Sequence, residues 1–447
     1  MQIKKNIGRG FLVLSLIVLF FWGVFSFIQL KSQEETYNID IFSLIPKDSY
    51  GLMYFQSVDK GKMQDKNLSV FKSLLPEEKG FEIAKFIEGE LIISYHTPLN
   101  TLLISKMKND KFMGLHQHGF KHILSTSKPK TILFNKHKIY IQQSVDNLFF
   151  CYTFHQGVFL GSYSLKLLYN AIEMFYTKEN LRDNIDFNKY AETLEKRAFA
   201  SVFFIDNSSS NDSADYKFDK WISGDINIEA EGKTSISGMI INQESILNLK
   251  DILVTDGNYF NINDFPADTK SLLFMQKDSS SIDNYGFGAC LTDTDYFNDL
   301  TSHEELVFFI KADSTNLDPF FDLELPSFDY IFNPIFNIDS QSYATCIYNG
   351  YILFCKSEEK LMKYVEQIKS EETLQQSTFF ELMYPYKDKK QVFFFLSEGK
   401  YIDQMLSKMQ YKAPIFFDSA LKKLNQNKLL LQLNEYNGKI FFYVEVK

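Results

Sequence analysis

The sequence predicts an α+β protein with an N-terminal transmembrane helix, followed by two related units that are each a mainly antiparallel sheet with packed helices. Three observations lead to this prediction. An uninterrupted apolar stretch lies close to the N-terminus, short segments rich in aromatic residues recur along the remaining chain, and several motifs occur twice in the same order. With roughly 150 residues per domain as a guide, 447 residues are enough for two or three domains.

The composition is that of a folded, acidic protein that is rich in aromatic side chains. The chain contains 45 Phe and 25 Tyr residues, which favour β-strands. Its formal net charge is −9, and only three residues are Arg. Because proteins that bind nucleic acids present clusters of basic residues, a nucleic acid is not expected as the partner.

Residues 11–30 predict a membrane anchor. This stretch carries no charged side chain, and a helix of about 20 residues spans the hydrocarbon core of a bilayer. Three basic residues precede it, and by the positive-inside rule they keep residues 1–10 in the cytoplasm. A cleaved signal peptide is the alternative, but its apolar region is normally shorter and ends in small residues. Residues 31–44 are then a linker to the first unit.

One motif occurs at the start of each unit. Pro46 and Pro266 suit the entrance of a strand, because proline fixes φ and lacks a backbone donor. Asp48 and Asp268 follow, and a carboxylate at this place can bond to the local backbone. An apolar run without alternation comes next and indicates a strand that is covered on both faces. The two segments, related by an offset of 220 residues, read IPKDSYGLMYFQ and FPADTKSLLFMQ.

A second motif occurs twice at an offset of 193 residues. Gly157 and Gly350 mark turns, and a short apolar strand follows each of them. Ser164 and Ser357 then stand where a helix should begin, and each hydroxyl can accept a hydrogen bond from the first turn of that helix. The repeated order of these motifs predicts a duplication. The two copies, named here the first repeat and the second repeat, span residues 45–255 and 262–447.

The cysteines are too few for a disulfide framework, since the chain has only four. Asn349 and Gly350 are a strong signal for a two-residue hairpin, which places Cys346 opposite Leu353. Cys355 then lies one diagonal step away from Cys346, and this register does not favour a bridge. Buried free thiols are therefore the prediction.

These features together resemble a family of uncharacterised bacterial membrane-anchored envelope proteins that is known only as a domain of unknown function. The apolar N-terminal stretch, the Pro-x-Asp-Ser/Thr strand entrance, the glycine–strand–serine–helix unit and the duplication carry the resemblance, which covers nearly the whole chain beyond residue 45. It implies a single-pass protein of the bacterial inner membrane, with its N-terminus cytoplasmic and most of the chain periplasmic. The family brings no catalytic residues to this sequence.

The sequence contains none of the GxGxxG, GxxxxGK, GxSxG or HExxH motifs that mark nucleotide-binding loops, nucleophilic serines and zinc helices. The best metal candidate is a histidine cluster. His116 and His118 alternate along a possible strand, with His122 four residues on, and two imidazoles on one face can share a metal ion. A solvated cluster is the simpler interpretation, and neither a metal nor a cofactor is predicted.

The sequence favours a non-enzymatic protein that binds a protein or peptide partner of the cell envelope, as a scaffold, assembly factor or holdase. The anchor, the duplication and the absence of catalytic motifs support this hypothesis, and a groove between the repeats is the expected site. One alternative is an extracytoplasmic enzyme whose dispersed site includes His116, His118, Asp48 and Asp268. The other is a carrier of a small apolar ligand or lipid, held between packed domains.

Overall fold

The computed structural model describes most of both predicted repeats and a short segment near the N-terminus. The described residues are 18–27, 39–58, 68, 71–72, 74–76, 78–87, 89–96, 100–107, 109–117, 120, 124, 128–177, 179–192, 198–205, 221–228, 233–240, 261–277, 285–292, 306–312, 332, 343–377, 391–399, 401–402, 405, 424, 427–436 and 439–447.

Strands dominate the described part of the chain. They are β1 (Ser49–Val58), β2 (Gly89–His96), β3 (Asn100–Lys106), β4 (Lys130–Phe134), β5 (His137–Gln143), β6 (Phe149–His155), β7 (Val158–Ser162), β8 (Ala200–Ile205), β9 (Trp221–Ile228), β10 (Thr234–Ile240), β11 (Thr269–Lys277), β12 (Tyr285–Thr292), β13 (Leu306–Ala312), β14 (Ala344–Tyr348), β15 (Tyr351–Cys355), β16 (Gln391–Glu398), β17 (Lys428–Tyr436) and β18 (Lys439–Val446).

The helices are short. They are α1 (Glu78–Ala84), α2 (Asn109–Gln117), α3 (Leu165–Glu173), α4 (Ile185–Ala191) and α5 (Glu358–Lys369). Single 3-10 turns lie at Ile41–Leu44, Leu181–Asp183, Ile262–Asp264 and Leu374–Gln376.

The strands form one 18-stranded antiparallel sheet, so the predicted α+β fold of two separate helix-packed sheets is wrong. The physical reason lies in β10 and β18, the last described strands of the two repeats. They pair with each other antiparallel from Thr234 opposite Val446 to Ile240 opposite Ile440. Each strand would otherwise end its sheet with a row of unpaired N–H and C=O groups.

The predicted transmembrane helix over 11–30 is also wrong. Within the described residues, no helix is both long enough and apolar enough to cross a membrane. Residues 18–27 are helical. This finding overturns the single-pass anchor and the inner-membrane location inferred from it. Residues 1–10 and the remaining parts of 11–30 lie outside the described residues.

The chain divides into two compact units. The first comprises Met1–Ser49, Tyr54–Met63 and Lys79–Asp183, and the second comprises Tyr50–Met53, Gln64–Glu78 and Asn184–Lys447. In the first unit the strand order is β4-β5-β6-β7-β3-β2. In the second unit it is β8-β9-β10-β18-β17-β16-β11-β12-β13-β15-β14.

The two predicted repeats share an order of strand pairing. In the first repeat β7 pairs with β3 and β3 with β2, and in the second β15 pairs with β13 and β13 with β12. Likewise β1 pairs with β2 and β8, as β11 pairs with β12 and β16. The series β8-β9-β10 corresponds to β16-β17-β18. This correspondence supports the predicted duplication, whose limits stay a prediction.

Helices α3 and α5 each bury one apolar face. The buried residues are Leu167, Leu168, Ala171 and Ile172 in α3, and Leu361, Tyr364 and Val365 in α5. The stripe of α5 packs on a cluster of buried side chains from β11, β12, β13, β15, β16 and β17. A helix with one apolar face is stabilised mainly by this kind of packing.

The hairpin prediction around Asn349 and Gly350 is confirmed. Cys346 lies opposite Leu353 in the β14–β15 pair. All four cysteines are free, and Cys151, Cys290 and Cys355 are buried while Cys346 is partly exposed. Cys346 is therefore the accessible thiol on the described surface.

Candidate functional site

The repeated proline motif is a strand entrance in both repeats. Pro46 forms an isolated antiparallel bridge with Asn180, and Pro266 forms one with Thr373. The carbonyl before each proline accepts a hydrogen bond from the backbone N–H after its bridge partner, at 3.0 Å in the first repeat and 2.7 Å in the second. The motif therefore holds each strand entrance against the 3-10 turn that follows α3 or α5.

Asp48 begins a chain of hydrogen bonds that runs from the surface into the core. Its Oδ1 lies 2.8 Å from His96 Nδ1, and His96 Nε2 lies 3.0 Å from Ser94 Oγ. Ser94 Oγ lies 2.9 Å from Ser49 Oγ. Asp48 is half exposed, whereas the other three side chains are buried. Sequence patterns indicated Asp48 but not His96, because 48 residues separate the two.

The pKa of Asp48 lies below its ordinary value of 3.8. Partial burial raises this pKa, but the hydrogen bond and charge interaction with His96, a backbone hydrogen bond and the charge of Lys166 together lower it by more. Since an ionised carboxylate only accepts hydrogen bonds, His96 Nδ1 donates to Asp48. The other ring nitrogen, Nε2, donates to Ser94 Oγ in the charged imidazole and accepts from the Ser94 hydroxyl in the neutral one.

The residue types in this chain match those of a serine hydrolase triad, but their burial argues against that chemistry. In a triad the serine Oγ attacks the substrate, so the substrate must reach it. Ser94 and Ser49 are both 0% exposed. These hydrogen bonds instead satisfy polar groups inside the protein and stabilise the strand entrance.

The corresponding positions in the second repeat carry different chemistry. Asp268 Oδ2 accepts a hydrogen bond from Gln367 Nε2 at 2.9 Å. Thr269 corresponds to Ser49, and its Oγ1 lies 3.4 Å from Cys290 Sγ. Burial raises the pKa of the Cys290 thiol to about 12, so this thiol is protonated at neutral pH. Asp48 and Asp268 thus occupy equivalent positions but contact a histidine and an amide, respectively.

Of the predicted histidine cluster, the structure describes His116 alone. His116 lies in helix α2 rather than on a strand, and its Nδ1 is 2.8 Å from the hydroxyl of Tyr152. Burial lowers the pKa of His116, and the nearby charge of Lys138 lowers it further. His118 and His122 lie outside the described residues. No group of three metal-ligating side chains occurs in the described part of the chain.

A second histidine pair was not predicted. The rings of His137 and His155 are 4.1 Å apart in an edge-to-face arrangement, and His137 Nε2 lies 2.7 Å from the Tyr176 hydroxyl. Burial lowers the pKa of both histidines, and the neighbouring His155 lowers that of His137 further. Both imidazoles pack against the ring of Phe175 in the turn after α3.

A buried ion pair in the second repeat was also missed. Asp264 is 5% exposed, and its Oδ2 accepts hydrogen bonds from Lys311 Nζ at 2.9 Å and from the Tyr351 hydroxyl at 2.8 Å. Its Oδ1 accepts from Asn349 Nδ2 at 3.0 Å. Burial raises the pKa of Tyr351, and Asp264 raises it further, so the hydroxyl keeps its proton. This centre ties the 3-10 turn before β11 to the β14–β15 hairpin.

The glycine and serine motifs have local structural roles. Gly157 and Gly350 have φ values of 75° and 79°, and Gln156 and Asn349 before them are also left-handed. Two successive left-handed residues make the turn that matches the twist of a β-hairpin. The serine hydroxyl at the start of each helix accepts a hydrogen bond from a backbone N–H. Ser164 Oγ accepts from Leu167 N and Ser357 Oγ accepts from Lys360 N, both at 3.3 Å.

Strands β4 and β14 are the outermost described strands of their units. Within the described sheet, β4 pairs with β5 alone and β14 pairs with β15 alone. Leu133 of β4 is 77% exposed and Ile347 of β14 is 47% exposed. An open strand edge offers backbone N–H and C=O groups to another strand, so these edges are the candidate binding surfaces.

Comparison with known proteins adds little to this description. No protein-family model and no curated protein matches the chain. Among solved structures, crystal form I of TP0453 matches with a TM-score of 0.24 and 7% sequence identity, over 74% of this chain and 98% of that chain. This likeness is too weak to indicate fold or function, and the resemblance to bacterial envelope proteins stays a prediction.

Proposed function

We propose that this protein is non-enzymatic and binds an acidic, extended segment of a partner protein along the open edge of β4. The observation that carries the proposal is the exposure of this edge. The five side chains of Lys130–Phe134 are all exposed or half-buried, and Leu133 is 77% exposed. A partner segment adds a strand to such an edge through backbone hydrogen bonds, while alternate side chains set specificity.

The backbone groups available on β4 follow from its hairpin. Asn135 and Lys136 form a two-residue turn with positive φ, and Phe134 pairs with His137 beside it. Bonded and non-bonded pairs alternate along an antiparallel ladder, and the pair beside a two-residue turn is bonded. Leu133 and Thr131 therefore direct their N–H and C=O groups away from β5, toward the open edge.

The charge around β4 favours an acidic partner. Residues 128–143 contain no Asp or Glu, although the whole chain has a net charge of −9. Four exposed lysines surround the edge: Lys128, Lys130, Lys136 and Lys138. A basic edge attracts acidic segments and repels the same edge of another copy of the chain.

The proposal is tested with a capped peptide of about six alternating glutamate and valine residues, long enough to cover β4. Its affinity for the full chain is measured by fluorescence anisotropy, with a lysine–valine peptide as the charge-reversed control. We expect Leu133→Pro to weaken binding about tenfold, because proline removes an outward N–H but no bond to β5. Leu133→Ala keeps that N–H and should bind almost as the original chain does.

Charge supplies a second variant. Lys130→Glu should weaken binding of the glutamate–valine peptide and strengthen binding of the lysine–valine peptide. Both changes in affinity should become smaller at high salt. Equal binding of the two peptides, or equal affinity of the proline and alanine variants, would show that β4 is not the binding edge.

A further inference from the structure

Two histidines face each other across neighbouring strands under helix α3. The register of β5 on β6, continued from Tyr140 opposite Tyr152, places His137 opposite His155. Residues opposite each other project from the same face of a sheet, and the centroids of these two rings are 4.1 Å apart. His137 is 4% exposed and His155 is half-buried, so the contact lies inside the protein.

The turn after α3 packs on both imidazoles. The ring centroid of Phe175 lies 5.9 Å from that of His137 and 5.3 Å from that of His155. The hydroxyl of Tyr176 lies 2.7 Å from His137 Nε2. The C-terminal end of α3 is therefore held on the sheet by these two rings.

The charged groups around the pair leave it without a counter-ion. Among the described residues, the titratable groups that act on the two rings are the Tyr176 hydroxyl and the other histidine of the pair, and neither ring has a carboxylate partner. His116 of α2 lies on the opposite face of β5 and β6, against Tyr140 and Tyr152. The described charged residues of β4 to β7, of α3 and of the turns beside the pair are all exposed: Lys130, Lys136, Lys138, Lys166, Glu173 and Glu179.

We propose that the His137–His155 pair is a pH switch, which holds α3 on β5 and β6 while both rings are neutral and releases the helix when acid charges them. Two imidazolium rings at this separation repel each other, and no carboxylate offsets the repulsion. Water can stabilise both charges once α3 moves away from the sheet. The inference does not depend on binding at the edge of β4.

The pKa values set the direction of the switch. Burial lowers the pKa of both histidines from the ordinary 6.5, and the charge of His155 lowers that of His137 further. Since the released state binds protons more strongly than the packed state, the packed state is most stable above pH 6.5 and loses stability as the pH falls. The stabilisation from Asp48 is lost only below its ordinary pKa of 3.8, which separates the two effects.

A cysteine under α3 reports the release. Cys151, Thr153 and His155 alternate along β6, so they lie on the face of the sheet on which α3 packs. Cys151 is 3% exposed. Cys355 is the internal control, because it is buried in the cluster beneath α5. The residue 193 positions after His155 is Tyr348, so the second repeat lacks the switch.

The full chain is labelled with dithiodipyridine at about pH 7.5 and at about pH 5, and mass spectrometry of the digested protein gives the rate at each cysteine. Each rate is divided by the rate of the same cysteine in the urea-unfolded chain at the same pH, which removes the pH dependence of the thiol itself. We expect the relative rate at Cys151 to rise about tenfold in acid, as one pKa unit predicts, and that at Cys355 to stay unchanged.

Two variants assign the response to the pair. His155→Tyr introduces the residue of the second repeat and should reduce the acid increase at Cys151 to below about threefold. His116→Gln is the matched control on the opposite face and should keep the full increase. If His155→Tyr exposes Cys151 already at neutral pH, His137→Gln replaces it, since its amide can still bond to the Tyr176 hydroxyl.

Three results would overturn the switch: a Cys151 rate that does not rise in acid, an equal rise at Cys355, or a rise that the histidine-pair variant leaves intact. The second result would show that acid unfolds the whole chain, and the third would assign the acid response to another group.

Discussion

At the scale of single residues, the most informative contact is that between Asp48 and His96. A half-exposed carboxylate anchors a fully buried imidazole, and the imidazole in turn satisfies the Ser94 hydroxyl. Unsatisfied buried polar groups cost about 1–3 kcal/mol each, so the three groups depend on one another. In the second repeat, the equivalent Asp268 accepts a hydrogen bond from Gln367 instead.

The lowered pKa of Asp48 makes its contribution to stability depend on pH. A carboxyl group whose pKa is lower in the folded protein stabilises the fold above its ordinary pKa of 3.8. This stabilisation is lost as the pH falls through the lower, folded value. We expect Asp48→Asn to destabilise the protein at about pH 6 and to make little difference at about pH 2.

Urea unfolding of both proteins across this pH range measures the difference. The control is Asp268→Asn, because the partner of Asp268 is a neutral amide whose charge does not change with pH. If the free energy of unfolding differed by the same amount between Asp48→Asn and the original chain at every pH, the contact with His96 would not be the source of the pH dependence.

At the scale of single elements, the helices and hairpins obey local rules. Ser164 and Ser357 cap α3 and α5, and glycine completes a two-residue turn in each preceding hairpin. The N-cap hydroxyl satisfies one of the orphan N–H groups at a helix start. These elements form wherever their short motifs occur, which explains why both repeats have them.

The caps predict a measurable loss of stability. Ser357→Ala should lower the free energy of unfolding by about 1 kcal/mol, because Lys360 N loses its acceptor. Ser164→Ala should have the same effect on α3. Ser370 lies at the other end of α5 and is exposed, so Ser370→Ala is the matched control and should cost less than about 0.5 kcal/mol. Equal losses at both ends of α5 would contradict capping.

At the scale of the whole molecule, the sheet continues from one repeat into the other through β10 and β18. Lys233 lies directly before β10, and Lys439, the first residue of β18, follows it at an offset of 206 residues. Under this offset Thr234 corresponds to Ile440 and Ile240 to Val446, and the observed register exchanges these positions: Thr234 faces Val446 and Ile240 faces Ile440. The two strands therefore meet as equivalents, as identical edges do in a twofold interface.

Phe442 stabilises this seam. A Cβ atom on Gly224 or Gly238 would meet its ring, so both glycines leave room for it. Phe442 is 6% exposed, and Phe442→Ala should lower the free energy of unfolding by about 3–5 kcal/mol. The neighbouring Phe441 is 37% exposed, and Phe441→Ala is the matched control with an expected loss below about 1 kcal/mol. If chemical denaturation gave similar losses in the free energy of unfolding for Phe442→Ala and Phe441→Ala, the pairing of β10 with β18 would not depend on the Phe442 ring.

Sequence by itself determined the features of this protein that depend on neighbouring residues. The proline entrances, the serine caps and the Asn349–Gly350 turn depend on φ preferences and on hydrogen bonds across two or three residues, which a short motif specifies. The order of these motifs also indicated two related copies, and the strand pairing agrees with that order.

Tertiary structure decided the rest, because those features depend on contacts between distant residues. The contact between Asp48 and His96 spans 48 residues, and that between Asp264 and Tyr351 spans 87. The merging of both repeats into one sheet depends on two strands about 200 residues apart. Hydropathy predicted a membrane span over residues 11–30, whereas no helix among the described residues is long and apolar enough to be one. Local sequence patterns carry no information about which strand edges pair with each other.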